Sequence, residues 1–106
     1  MQHEAKKTIR NTQIQRILLG VPLEHEHLRV LIELTDGTKL VLHEATLASI
    51  VRAFLTTKLD PIRDAVELMG TELAERRAGF AEYQLLETET SPEMVKKELS
   101  HALKQK

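Results

Sequence analysis

Apolar and polar positions alternate most regularly between Leu28 and His43. Two runs, Leu28-Arg29-Val30-Leu31-Ile32-Glu33-Leu34 and Thr38-Lys39-Leu40-Val41-Leu42-His43, flank Thr35-Asp36-Gly37. Strand-like runs joined across Asp-Gly predict a β-hairpin. Two registers compete for it. A two-residue turn at Asp36-Gly37 pairs Leu34 with Lys39 and mixes both faces. A three-residue loop, with Thr35-Asp36 as a type I turn and Gly37 at positive φ, pairs Leu34 with Thr38. The second register gathers Leu28, Val30, Ile32, Leu34, Leu40 and Leu42 on one face. On the other it sets Glu33 opposite Lys39, Leu31 opposite Val41 and Arg29 opposite His43. A one-residue slip would turn every side chain to the wrong face, so the clean apolar face selects the bulged register. The opposed Glu33–Lys39 charges add about a few tenths of a kcal/mol in the same direction.

On either side the pattern is read less directly. Thr12 to Val21 fits a helical stripe through Ile14, Ile17, Leu18 and Val21, but Gln13 and Gln15 flank Ile14 and Gly20-Val21-Pro22 cuts the run short. A strand that meanders through the linker 22–27 into the hairpin is the expectation. After His43 the period changes to that of a helix. Leu47, Ile50, Val51, Phe54 and Leu55 form a stripe opposite Ser49, Arg52 and Thr56, which predicts a helix over 46–58 capped by Thr46. Asp60-Pro61 then reads as a second start, with Asp60 as the cap and Pro61 in the first turn. Ile62, Val66, Met69 and Leu73, spaced by four and three, extend that helix over 61–78. Glu72 and Arg76 support it, and Arg76-Arg77-Ala78-Gly79 ends it. Gly70 weakens such a helix by about 1 kcal/mol, so a closely packed neighbour is expected there. Alternation of Ala81, Tyr83 and Leu85 with Glu82 and Gln84 predicts a further strand of the sheet over 80–89, with continued helix as the competitor. Ser91-Pro92-Glu93 opens a last helix, 92–104, with the stripe Val95, Leu99, Ala102, Leu103 and a Glu93–Lys97 brace. The expected fold is α+β: a small antiparallel sheet of three or four strands with the 28–43 hairpin central. Helices 46–58 and 61–78 pack on its apolar face, and a C-terminal helix completes it. One domain spans 1–106, with 1–11 and 104–106 poorly ordered.

Composition narrows the classes. The chain of 106 residues is 42% hydrophobic and 29% charged, as a globular domain is, but only 3% aromatic. The core must therefore be aliphatic, and there is no row of aromatics on which bases could stack. A net charge of −1 lacks the basic excess of a nucleic-acid binder. The absence of cysteine removes disulfides, thiolate metal sites and cysteine nucleophiles, and fits a reducing compartment. No apolar run follows the first residues, so no signal peptide is expected, and no run is long enough for a bilayer. These features point to a cytoplasmic protein.

Candidate chemistry is sparse. Glu24-His25-Glu26-His27 leads into the hairpin and His43 closes it. A strand extended back to His25 would align His25, His27 and His43 on one face, where three imidazoles could hold Zn²⁺ with a position open for water. The competing reading is a solvated hairpin mouth. Ser49, Ser91 and Ser100 lack the surroundings of an activated nucleophile, and the glycines are too scattered for a phosphate-cradling loop. No residue is assigned a catalytic role. The face opposite the apolar one carries Leu31 against Val41, rimmed by Arg29, Glu33, Lys39 and His43. That is the anatomy of a modest, self-complementary contact. The stripe Ile62, Val66, Met69, Leu73 offers a second, helix–helix seam. The leading reading is accordingly a small cytosolic interaction or regulatory module acting by protein–protein contact, as a homo-oligomer, most simply a dimer. A histidine-based Zn²⁺ site, catalytic or sensory, is the alternative. A weak nucleic-acid contact through Lys6, Lys7, Arg10 and Arg16 or the lysines of the last helix is the third.

Overall fold

A computed structural model describes residues 7–73 and 83–104. Contacts divide the chain into two compact units that meet at Glu44/Ala45, where the sequence pattern predicts one domain. The first unit is a three-stranded antiparallel sheet in the order β1-β2-β3. Its strands are β1 (Ile14–Gly20), β2 (Arg29–Leu34) and β3 (Lys39–His43). β2 is central, and Arg29↔His43, Leu31↔Val41 and Glu33↔Lys39 pair across the hairpin as the bulged register requires. Gly37 has φ +93°. The Leu34 N–H donates to the Thr38 carbonyl at 2.9 Å, the Gly37 N–H to the Leu34 carbonyl at 3.0 Å, and the Thr38 N–H to Asp36 Oδ1 at 2.9 Å. A positive φ costs glycine nothing and any residue with a Cβ something, which is why glycine closes this loop.

β1 is a strand, as the flanking glutamines suggest. It joins β2 with one irregularity: Ile14 pairs with Leu34 but Arg16 with Glu33, so Gln15 is an extra residue in a β-bulge. Beyond it Ile17, Leu18, Leu19 and Gly20 face Ile32, Leu31, Val30 and Arg29. Val30 and Leu34 are buried, and Leu40 and Leu42 are half-buried between exposed Lys39, Val41 and His43. The predicted apolar face of the hairpin therefore holds its buried residues, Val30 and Leu34.

The second unit holds α1 (Glu44–Leu59, beginning at the boundary), β4 (Leu68–Glu72), β5 (Tyr83–Glu87) and α2 (Pro92–Lys104). α1 starts two residues before Thr46, which lies inside the first turn and is not the cap. Its burial also runs against the stripe read from sequence. Ser49 is the buried residue, its hydroxyl donating to the Ala45 carbonyl at 2.9 Å, while Ile50, Val51, Phe54 and Leu55 are exposed. A hydroxyl that bonds the preceding turn has no unmet donor, so serine tolerates that site.

The helix expected over 61–78 does not form in its described part. Asp60 closes a local turn instead of capping a helix: its Oδ1 accepts from the N–H groups of Ile62 at 2.9 Å and Arg63 at 3.3 Å, and extended chain follows and then β4. Partners distant in sequence hold it extended. Glu67 accepts hydroxyl hydrogen bonds from Thr88 at 2.8 Å and Thr90 at 3.0 Å, and the Thr88 N–H donates to the Glu67 carbonyl at 3.0 Å. Arg63 pairs with Glu87, and Lys96 with Asp64 at 3.0 Å. β4 and β5 form a separate two-stranded antiparallel sheet, so the strand expected over 80–89 is present at Tyr83–Glu87 but is not added to the hairpin. Gly70 has the close neighbour expected of it: the Tyr83 ring occupies the space a Cβ would take. Glycine in a strand covered by a diagonal aromatic replaces lost side-chain packing with ring contact. The predicted end of that helix at 76–79, its Glu72–Arg76 pair and residues 80–82 lie outside the described residues.

α2 has the bounds the sequence predicts. Ser91 Oγ accepts from the Met94 N–H at 3.3 Å, and Glu93 stands in the first turn. Glu93 pairs with Lys96, at 3.0 Å, in place of the expected Lys97. Of the termini expected to be poorly ordered, Asn11 opens a 3-10 turn (Asn11–Gln13) and Lys104 ends α2; residues 1–6 and 105–106 are outside the described set.

Candidate functional site

The sheet of the first unit has one outer face, on which register alone sets three rows across the strands. Arg16–Glu33–Lys39 is a charged row, Leu18–Leu31–Val41 an apolar row and Gly20–Arg29–His43 a second polar row. Directly opposed residues of an antiparallel pair lie close enough for their side chains to touch. In the charged row Glu33 pairs with Arg16 and, at 3.7 Å, with Lys39. The Arg16 hydrogen bond, aided by both cations, holds the Glu33 carboxyl below its usual range. At the far end the Glu44 carboxylate accepts from the Leu28 N–H at 2.8 Å, and Arg29 donates to the Leu28 carbonyl at 3.0 Å. Between these polar rims Val41 is 59% exposed and Leu18 46%. Leu31 is half-buried between them.

Arg29, Leu31 and Val41 of the sequence-derived surface thus share one face. Leu18 and Arg16 belong to it as well and were not found by pattern. Their place depends on the β1–β2 register, which the Gln15 bulge shifts by one residue. The second group is dispersed. Ile62 is almost fully exposed in the extended segment after Asp60, Met69 is exposed on β4, and Val66 and Leu73 are half-buried outside any helix. A helix–helix seam through these four residues is ruled out by the strand.

The histidines do not converge. β2 begins at Arg29, and ahead of it the chain turns at Pro22–His25, where Glu24 has φ +66° and the His25 N–H donates to the Pro22 carbonyl at 3.1 Å. Bends at Glu26 and His27 follow the turn and break the alternation that would have aligned His25 and His27 with His43. Among the described residues no three His, Cys, Asp or Glu side chains are grouped to hold a metal ion. One face of α2 mixes Glu93 with Lys96 and Lys97 and is open to solvent. Lys96 there is engaged by Glu93 and Asp64, so it is not a free cation for phosphate.

The fold and this surface define a class: an α+β chain with an exposed, charge-rimmed apolar row on an antiparallel sheet. No helix among the described residues is long and apolar enough to cross a membrane. Compared with known protein families, curated proteins and solved structures, the chain matches none.

Proposed function

We propose that the chain is a small interaction or regulatory module that acts by protein–protein contact and self-associates, working in the cytosol. The observation behind this reading is how little of its apolar side-chain surface one copy covers. Among the described residues Val30, Leu34 and Ala65 are the buried hydrophobic ones, while Ile17, Leu18, Leu19 and Val41 of the sheet and Ile50, Val51, Phe54 and Leu55 of α1 are all exposed. Scattered exposed leucines are ordinary on a protein surface, but contiguous apolar rows with polar rims mark contact sites. The rim of the outer sheet face carries both charge signs, which lets two copies of the same patch meet without like charges opposed. A chain without cysteine suits a reducing compartment. Light scattering on the purified chain tests the reading. Twice the 12.1 kDa of one chain is expected, and a monomer at tens of micromolar overturns self-association.

A further inference from the structure

We propose that β1 is a self-recognition edge. A second copy of this chain lays its own β1 antiparallel against it about a two-fold axis at Leu18, joining two three-stranded sheets into one of six strands. The proposal rests on the self-association read above and specifies where it occurs.

Among the described residues β1 is paired on one side only, since the sheet order is β1-β2-β3. An edge strand presents unpaired N–H and C=O groups to any strand of matching pattern, and proteins that must avoid such pairing blunt the edge with charge. The core of this edge is not blunted: Ile17, Leu18 and Leu19 are 52%, 46% and 58% exposed. The pattern of β1 is complementary to itself in one register. With the axis at Leu18, Leu18 meets the partner's Leu18, Ile17 meets the partner's Leu19, and Arg16 meets the partner's Gly20. The apolar row Val41–Leu31–Leu18 then continues, on the same face, into the equivalent row of the second copy. On the other face Leu40–Ile32–Ile17 runs on into the partner's Leu19, the partner's Val30 and the partner's Leu42. Opposite Arg16 there is room, because no other described residue comes within 4 Å of where a Cβ on Gly20 would stand.

Other pairings are poorer. Moving the axis to Ile17 sets Arg16 against the partner's Leu18 and ends the apolar row on a guanidinium. Pairing the opposite edge, β3, about Val41 sets Lys39 against the partner's His43, and lysine on an edge strand is a common guard against pairing.

Because the chain has no cysteine, single cysteines report the geometry cleanly. Directly opposed strand residues have Cα atoms about 4.5–5.5 Å apart, within the reach of a disulfide. Leu18→Cys is therefore expected to form a covalent dimer in high yield on oxidation with diamide. A mixture of Ile17→Cys and Leu19→Cys is expected to form the mixed dimer preferentially. Val41→Cys should stay unlinked, since five strand spacings put the two positions about 24 Å apart. All four sites are exposed in one chain, and circular dichroism checks that each variant folds. Light scattering on the wild-type chain separates the two levels of the proposal. A dimer in which Leu18→Cys stays reduced, or Val41→Cys links instead, overturns the edge pairing and leaves self-association standing. A monomeric wild-type chain overturns both.

Discussion

Arg16 on β1 donates to the carboxylate of Glu33 directly opposite on β2, and Lys39 reaches the same carboxylate from β3. One acid between two cations locks the strand order into the charge pattern. Reversing its sign sets three cations in a row. Glu33→Lys is expected to lower the urea midpoint more than Glu33→Gln, and added salt should narrow the gap between them, because exposed charges are screened. Equal midpoints for the two variants would contradict the row.

The same carboxylate sets a pH dependence. Glu33 and Asp36 both sit below their usual values of 4.5 and 3.8, the first through Arg16 and the second through its hydrogen bonds with Thr38. A native state that binds these protons less tightly than the unfolded chain has their full contribution above the usual values. It loses that contribution as pH falls through the lowered ones. Lys96, raised above 10.5 chiefly by Glu93, behaves in the opposite sense: its contribution is complete below 10.5 and fades above its raised value. Urea midpoints are expected to fall from pH 5 to pH 3, with wild type and Glu33→Gln converging. Parallel curves would count against the shift.

Gly37→Ala tests the hairpin loop. Among the described residues none beyond its chain neighbours lies within 4 Å of the added Cβ, so the cost is that of the backbone at φ +93°, about 1 kcal/mol. Gly37→Asn should cost less, since asparagine tolerates positive φ better. Chemical denaturation reads both, and an alanine variant as stable as wild type would refute the loop geometry.

Much of this arrangement was legible in the residues themselves, and the exceptions have physical causes. Asp36-Gly37 and the single apolar face sufficed for the hairpin register because turn chemistry and burial demanded the same pairing. Ser91-Pro92-Glu93 likewise announced α2, since its cap is local. Asp60-Pro61 sent an equally valid local signal and was misleading. The Thr88 and Thr90 hydroxyls that hold Glu67, and the β5 ladder along Leu68–Glu72, come from more than ten residues away. Leu18 escaped notice because a bulge at Gln15 moves it into line with Leu31, and no periodicity marks a bulge. The alignment of His25 and His27 with His43 required strand where the chain bends at Glu26 and His27.

Gly70→Ala tests the second sheet. The Tyr83 ring must leave the strand face to admit the methyl group, and Tyr83 is the single tyrosine in a chain without tryptophan. Its fluorescence is expected to become more readily quenched by iodide, while the sheet itself remains. Unchanged quenching would show that the ring does not lie over Gly70.

Ser91→Ala removes the side-chain acceptor of the Met94 N–H and is expected to cost about 1 kcal/mol, with loss of helical signal at the start of α2. Ser91→Asp should keep the stability, because a carboxylate caps as well and favours the positive end of the helix.

The central claim is that the chain self-associates through apolar residues that one copy leaves exposed. Sedimentation equilibrium of the wild-type chain, from a few to a hundred micromolar, tests it most directly. The account predicts a single association curve rising to twice the 12.1 kDa chain mass within that range. The mass of one chain at every concentration would contradict it.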